Sequence, residues 1–334
     1  MAPRVSASAP LDDSNADLDA DSGADSGLNG LTDAAFGESA RHTGSERTAL
    51  SFEVIPPRHD ADEKKISNLL ATLESYRPDY ISVTSSHRSG WLDGTAKFIS
   101  RIDRETNMRT LAHLACTAGT KQEMIAWINR LIDSGVRGLL ALRGDLPEGD
   151  VALPSDHLQH ADELVRLIRE VEGRQAARFA AGRLAVAVAS YPNGHYQART
   201  DDENFDVLLS KQRSGADLAI SQLFFEAEDF LQFRRRAQLA GVRIPQIPGI
   251  MPITSVRRLR RMAEFSSLPV PEHLVRRLEN ARDERAEGIA ITAELVQAML
   301  DNDVGSLHIY THNNAEVTEE LLQAVGIRPP APPG

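Results

Sequence analysis

The chain has 334 residues, a formal net charge of −11 at pH 7 and 41 % hydrophobic residues, a composition ordinary for a globular protein. The acidic balance argues against a partner that is a nucleic acid, because binding a phosphate backbone needs a basic face. The single cysteine, Cys116, excludes an intrachain disulfide and fits the cytoplasm, where we expect the protein to act. We find no apolar run long enough to span a bilayer and no secretory signal, so we expect no membrane association.

The N-terminal segment differs in composition from the rest. The run from Asp12 to Gly37 is almost entirely Asp, Ser, Ala, Gly, Asn and Leu. Such a run has little apolar bulk and many like charges, so burial cannot offset the entropy lost on ordering. We therefore predict a disordered acidic tail over 1–47, one folded domain over 48–328 and a flexible end over 329–334. A docking or regulatory role is the alternative interpretation of the tail.

From Ala49 onward, strand-like and helix-like patterns alternate. A helix is predicted around Met124 and Ile132, with Thr120 placed to cap its start and Gly135 to end it. Near-continuous apolar strands indicate a parallel sheet covered on both faces. Eight strand–helix units in about 280 residues predict an α/β fold with a single (β/α)8 TIM barrel, and a doubly wound open sheet is the structural alternative. The predicted strands are Ala49–Ile55, Tyr80–Thr84, Thr110–Ala115, Gly138–Leu142, Leu184–Ser190, Leu218–Phe224, Gln246–Met251 and Ser306–Tyr310.

Polar residues recur on these strands or just after them, which is where a TIM barrel carries its active site. Any one of them could be structural, but their recurrence across strands predicts a site. They are Glu53, Thr84, His113, Arg143-Gly144-Asp145, Tyr191, His195, Gln222 and the segment Tyr310-Thr311-His312-Asn313-Asn314.

Glu53 is the candidate acid. It lies within an apolar strand, and burial raises the pKa of a carboxyl so that it can hold a proton near neutral pH. A structural ion pair with Arg58 or Arg143 is the alternative. In the turn Arg143-Gly144-Asp145, the guanidinium can bind phosphate or carboxylate, the glycine permits close approach of the backbone, and the carboxylate can stabilise a developing cation.

Eight motifs, in this order, resemble the methylenetetrahydrofolate reductase family from about Ser51 to Gly326. The resemblance implies a TIM barrel that reduces 5,10-methylenetetrahydrofolate to 5-methyltetrahydrofolate with NADH or NADPH, in one-carbon metabolism and methionine supply. The motifs are Ser51-Phe52-Glu53-x-x-Pro56-Pro57-Arg58, Ser82-Val83-Thr84, His113-Leu114-x-Cys116, Ala141-Leu142-Arg143-Gly144-Asp145, Tyr191-Pro192-x-x-His195, Gln222-x-Phe224-Phe225, Ile247-Pro248-Gly249-Ile250-x-Pro252 and Tyr310-Thr311-x-Asn313-x-Ala315-Glu316.

The resemblance also implies roles for individual residues. Glu53 is the general acid that protonates the folate as its five-membered ring opens to an iminium. Asp145 lies beside the pterin and favours that cation, and Gln222 hydrogen-bonds the pterin. Asn314 stands where the family commonly has an Arg, and we predict that it is a further substrate contact. The residues that match the family's flavin site are Thr84, His113, Arg143, Gly144, Tyr191, His195 and Lys211.

The helix after His195 departs from the family pattern. Typical members present an Asp, an Asn and an Arg-Lys pair towards FAD, whereas this chain has Asn204, Val207 and Ser210-Lys211. Each lost charge-assisted contact is worth roughly 1.5–3 kcal/mol. We therefore predict that NADH or NADPH passes its hydride directly to the folate in a ternary complex. A conventional ping-pong reaction through FAD is the alternative.

Functions of other classes are weighed against these. A non-catalytic folate-binding protein would share the fold and oxidise no NADH. A lyase or aldolase of the Schiff-base type would need a strand lysine, and none of the predicted strands has one. No G-x-G-x-x-G follows a strand, and no H-E-x-x-H or C-x-x-C occurs, so no Rossmann or zinc site is indicated. The sequence leaves the oligomeric state open.

Overall fold

The computed structural model describes residues 47–57, 63–85, 91–146, 152–180, 182–195 and 200–331. The predicted tail, apart from Arg47, lies outside the described residues, as do Arg58 and residues 332–334. Ten α-helices are present in the described part. They are α1 Glu63–Ser75, α2 Trp91–Glu105, α3 Lys121–Asp133, α4 Ala161–Arg174, α5 Asp201–Arg213, α6 Ala227–Leu239, α7 Val256–Ser266, α8 Glu272–Asn280, α9 Glu284–Asp301 and α10 Ala315–Ala324.

Nine strands form one parallel sheet with the order β7-β6-β5-β4-β3-β2-β1-β9-β8. Their order matches a barrel in which each strand pairs with the next along the chain and the first pairs with the last. The strands are β1 Ala49–Val54, β2 Tyr80–Val83, β3 Thr110–Ala115, β4 Gly138–Leu142, β5 Ala185–Ser190, β6 Leu218–Ser221, β7 Gln246–Ile247, β8 Gly249–Ile250 and β9 Ser306–Tyr310.

Pro248 divides the seventh predicted strand into β7 and β8. β7 pairs with β6, and β8 pairs with β9. Proline has no N–H to donate to a neighbouring strand, so the ladder breaks there, although the Pro248 carbonyl still accepts from His308 N at 3.0 Å. The divided strand fills one of eight positions and joins the two ends of the sheet. The predicted (β/α)8 barrel is thereby confirmed, and the open sheet is excluded.

Local signals explain several element ends. Thr120 Oγ1 accepts from Glu123 N at 3.3 Å while the Glu123 carboxylate accepts from Thr120 N at 2.7 Å, so the predicted cap of α3 is a full capping box. Gly135 follows this helix with φ +96°, a conformation that favours glycine. β6 ends three residues earlier than predicted. The Gln222 side chain accepts from Leu223 N at 3.0 Å and so takes the N–H from the ladder.

The barrel interior is apolar on one side and polar on the other. The apolar side includes Leu140, Ala187, Leu218, Ile220 and Ile247 of β4 to β7, and the main apolar core fills the space between sheet and helices. The polar side includes Ser51, Glu53, Ser82, His113 and His308 of β1, β2, β3 and β9. The described helices include none long and apolar enough to cross a membrane.

Candidate functional site

Glu53 and His113 meet inside the barrel. Glu53 Oε2 lies 3.5 Å from His113 Nε2, which lies 2.7 Å from Ser82 Oγ, and only 18 % of the Glu53 side chain is exposed. Burial raises the pKa of Glu53 to about 8 and lowers the pKa of His113 to about 4. At any pH between about 4 and about 8, both side chains are therefore neutral. At neutral pH the carboxyl therefore keeps its proton, and this contact is not an ion pair.

The segment after β9 holds the backbone of Glu53 in place. Thr311 Oγ1 donates to the Glu53 carbonyl at 2.6 Å. Asn313 accepts from Ile55 N at 2.8 Å and donates to the Ile55 carbonyl at 2.7 Å. Tyr310 is the register partner of Glu53 on β9, and its hydroxyl donates to the Ser221 carbonyl at 2.8 Å. The backbone of the acid is thus fixed from the β9 side of its strand, as a catalytic group requires.

A cavity of about 460 Å³ lies at the ends of β4 and β5, bounded by α4 and α5. Four residues predicted to bind a cofactor line it: Arg143, Tyr191, His195 and Lys211. The positions of α5 that depart from the family pattern also line it: Asn204, Val207 and Ser210. The structure thus brings the matching and the departing positions together around one cavity. Thr84, His113 and Gly144 are outside this lining.

Lys211 is the buried cation of this cavity. Its Nζ donates to the Ala189 carbonyl at 2.8 Å and lies 5.9 Å from the centre of the Tyr191 ring. Burial lowers the pKa of Lys211 to about 8, and the charge of Asp162 opposes that shift. Burial, together with the charges of Lys211 and Arg143, also lowers the pKa of His195. Near neutral pH the cavity therefore has two principal cations, Arg143 and Lys211.

Among the residues of α5 that line the cavity, Lys211 is the one cation. Asn204 uses its carbonyl oxygen to accept from His195 N at 3.0 Å. Val207 is apolar and 49 % exposed. Ser210 Oγ donates to a carboxylate, Asp162 Oδ2, at 3.1 Å. The carboxylates of Asp162 and Glu203 also line the cavity. Two cations and two carboxylates give it little net positive charge.

Gly144 and Asp145 follow β4. Gly144 has φ +84°, and a Cβ there would lie 2.2 Å from Thr117 Oγ1, so the turn requires glycine. Asp145 is exposed at the end of this turn. Thr84 is half-buried, and its carbonyl accepts from Thr95 Oγ1 at 2.9 Å. The roles expected for these residues stay predictions.

Two predicted substrate contacts make local hydrogen bonds. Gln222 lies just beyond β6 and accepts from the next backbone N–H, as described above. Asn314 is the N-cap of α10, where its Oδ1 accepts from Val317 N at 3.1 Å. Sequence reasoning missed this cap. Neither observation tests the expected contact with folate.

Sequence reasoning also missed part of the polar cluster. His308 is buried on β9, its Nδ1 lies 2.8 Å from Ser51 Oγ, and burial lowers its pKa to about 3. Ser82, on β2, positions His113. The available signal was the alternation of polar residues at 51 and 53, 80 and 82, and 308 and 310 in otherwise apolar strands. Among the described residues, no group of His, Cys, Asp and Glu is arranged to hold a metal ion.

Comparisons with known proteins agree on one family. Residues 38–326 match the family model described as methylenetetrahydrofolate reductase. The 5,10-methylenetetrahydrofolate reductase of Escherichia coli (strain K12) is 30 % identical over 284 residues, which cover 84 % of this chain and 91 % of that protein. A Caenorhabditis elegans protein named probable methylenetetrahydrofolate reductase (NADPH) is 34 % identical over 223 residues, which cover 65 % of this chain and 32 % of that protein.

A solved structure shows a similar fold. It is an uncharacterized Clostridium thermocellum protein that binds two copies of 5-methyl-5,6,7,8-tetrahydrofolic acid. The two chains superpose with a TM-score of 0.58 at 12 % identity, over 86 % of this chain and 98 % of that one. At this identity the likeness shows the fold alone.

Proposed function

The chain belongs to the methylenetetrahydrofolate reductase family, and from that premise we propose that it reduces 5,10-methylenetetrahydrofolate to 5-methyltetrahydrofolate with NADH or NADPH as the hydride donor. The observation that carries the proposal is the position of Glu53, a largely buried carboxyl inside the barrel, 3.5 Å from His113 Nε2. Burial raises its pKa to about 8, so that it is protonated at neutral pH. The product is a methyl donor suited to one-carbon metabolism and methionine supply.

The proposed chemistry has a protonation and a hydride transfer. The bond between the methylene carbon and N10 breaks, its electron pair stays on N10, and Glu53 supplies the proton that N10 takes up. The N5 lone pair forms the iminium, whose positive charge Asp145 stabilises from the rim of the barrel. The nicotinamide then gives a hydride to the iminium carbon. One proton and one hydride are consumed, and oxidised nicotinamide and the N5-methyl product are released.

We further propose that the hydride passes directly from the nicotinamide to the folate. The α5 residues do not fit the diphosphate and ribityl groups of a tightly held FAD, since Val207 offers no polar atom and Ser210 already donates to Asp162. A resident cofactor needs nanomolar affinity, about −12 kcal/mol, whereas a co-substrate with a micromolar to millimolar Kd needs only about −8 to −4 kcal/mol. Arg143 and Lys211 are enough for the weaker requirement.

The absence of a bound flavin is expected in the purified protein. Its visible spectrum should show no flavin band, including after incubation with excess FAD and desalting. Initial-rate lines at several fixed folate concentrations should intersect, because both substrates must be bound together. A triple variant, Asn204→Asp with Val207→Asn and Ser210→Arg, should retain more FAD than the wild type. A flavin band that remains after desalting of the wild type, together with parallel initial-rate lines, would contradict the proposal of direct hydride transfer.

A pH profile should report the protonated state of Glu53. A general acid with a pKa of about 8 works below that value, so kcat/KM for the folate at saturating NADH should be level below pH 8 and fall about tenfold per pH unit above it. Lys211 loses its charge in the same pH range, and this loss should raise the KM for NADH rather than the KM for the folate. Saturating NADH separates the two. A folate profile that rises through pH 8 would exclude Glu53 as the acid.

A further inference from the structure

Two arginines of α7 lie at the rim of the barrel where β8 and β9 end. Arg258 is half-buried, and its Nη2 lies 3.6 Å from Met251 Sδ. Burial and the nearby charge of Arg261 lower the pKa of Arg258. Burial and the charges of both arginines lower the pKa of His312 to about 4. The charges of Arg258 and Arg261 are therefore close enough to act on one another and on His312, in the segment that follows Tyr310.

Arg258 differs from nearby arginines in having no carboxylate among the contacts of its side chain in the described part of the chain. On the same helix, Arg260 pairs with Glu279 at 3.9 Å, and Arg277 of α8 pairs with Glu287 and Glu294 at 2.7 Å. Within the described part of the chain, the guanidinium of Arg258 contacts a thioether and no carboxylate. A partly desolvated cation beside a second cation is unfavourable until an anion joins them.

The N-terminus of α7 is not itself the anion site. Val256 N donates to Glu284 Oε1 at 2.7 Å, and Arg258 N donates to Ser255 Oγ at 3.1 Å. These bonds occupy two of the N–H groups in the first turn of the helix. The side chain of Arg258, rather than the backbone, is therefore the group that can receive an anionic ligand.

An apolar surface connects these arginines to the acid. Met251 and Val256 are partly buried and pack in the same cluster as Tyr310, which is the register partner of Glu53. In a folate, N10 joins the pterin side to a benzoyl ring, and the benzoyl ring bears one or more glutamates. With N10 at Glu53, the benzoyl ring would cover this apolar surface, and the glutamate would extend to the two arginines.

We propose that Arg258 and Arg261 bind the glutamate carboxylates of the folate substrate, an inference that rests on the proposed function. Two guanidiniums suit a group that has at least two carboxylates, and each carboxylate can form a bidentate contact with a guanidinium. The diphosphate of the nicotinamide cofactor is the other anion that could occupy this place. The experiment distinguishes the two.

The test compares two folates on variants of α7. Arg258→Gln should raise the KM for 5,10-methylenetetrahydrofolate about ten- to hundredfold and leave kcat and the KM for NADH within about twofold. The same variant should barely change the KM for methylenetetrahydropteroate, which lacks glutamate. Arg261→Gln should act in the same direction. Arg260→Gln, on the same helix and with the same loss of charge, is the control and should leave both folates unaffected.

Folding and binding are measured on the same variants. The Tm of each variant shows whether it folds, and Arg258→Lys, which keeps the charge, should recover part of the lost affinity. Calorimetric binding of 5-methyltetrahydrofolate tests the site even if the wild type oxidises no NADH, an outcome that would refute the proposed function alone. Equal effects of Arg258→Gln on both folates, or an effect on the KM for NADH instead, would overturn the assignment.

Discussion

Glu53→Gln is expected to lower kcat about 10²- to 10⁴-fold, the usual contribution of a positioned general acid. Glutamine keeps the shape and polarity of the side chain but has no carboxylic proton to give to N10. The Kd for 5-methyltetrahydrofolate should change little, because the product no longer needs that proton. Stopped-flow oxidation of NADH measures the first quantity and calorimetry the second. The residual activity of Glu53→Gln should no longer decline above pH 8.

The stability of the same variant shows whether Glu53 is a protonated acid or a member of a structural ion pair. The pKa of Glu53 is higher in the folded protein than its ordinary value of 4.5, so the folded state holds a proton that the unfolded state has released between pH 4.5 and about 8. Across this window the wild type loses stability as pH rises, by up to about 1.4 kcal/mol per pH unit. Glu53→Gln has no such loss and should gain relative stability with pH.

A matched control is Glu172→Gln. Glu172 is buried and accepts from Arg169 Nη1 at 2.8 Å, and its other oxygen accepts from Leu184 N. Removing its charge takes away one of the two carboxylates that pair with the Arg169 guanidinium, which keeps only Asp217 Oδ2 at 2.5 Å, so this variant should be less stable than the wild type at pH 7. If Glu53→Gln destabilised the protein in the same way, Glu53 would be a structural residue, and the mechanism above would be wrong.

The sequence predicted most of the strands because parallel barrel strands are apolar on both faces and end at turn residues. β3, β4 and β9 begin and end as expected. The division at Pro248 was not predicted, although proline in a strand interior is a recognised sign of a break. The apolar run continues through Pro248, and periodicity does not report which neighbour each half pairs with.

The site was predictable residue by residue but not in its arrangement. Burial of Glu53 follows from its apolar strand, and its raised pKa follows from that burial. The contact of His113 with Glu53 and Ser82 depends on the register of three strands, which one sequence does not reveal. Asn314 shows the same limit, since an Asn before a helix predicts a cap as readily as a ligand contact.

Gly249→Ala is expected to destabilise the protein at the point where the barrel closes. A Cβ at this position would lie 2.4 Å from the Ser221 carbonyl oxygen and 2.6 Å from Tyr310 Cε2. Gly249 N also donates to Ser221 Oγ at 2.9 Å. Overpacking of this kind costs about 1–3 kcal/mol, which corresponds to a fall in Tm of roughly 2–5 °C in a chain of this size. Gly305→Ala is the control, because a Cβ there meets nothing within 4 Å.

The effect of Gly249→Ala should extend from stability to catalysis. The backbone of Ser221 cannot move far, since β6 is paired on both sides, so Tyr310 must shift instead. Tyr310 is the register partner of Glu53, and its hydroxyl bond to Ser221 would lengthen or break. We therefore expect kcat at 25 °C, well below the Tm, to fall at least about tenfold, as misplacement by about 1 Å can cost more. A variant with a lowered Tm and an unchanged kcat would show that closure of the barrel and placement of the acid are independent. Glu53 would then be held by Thr311 and Asn313 alone.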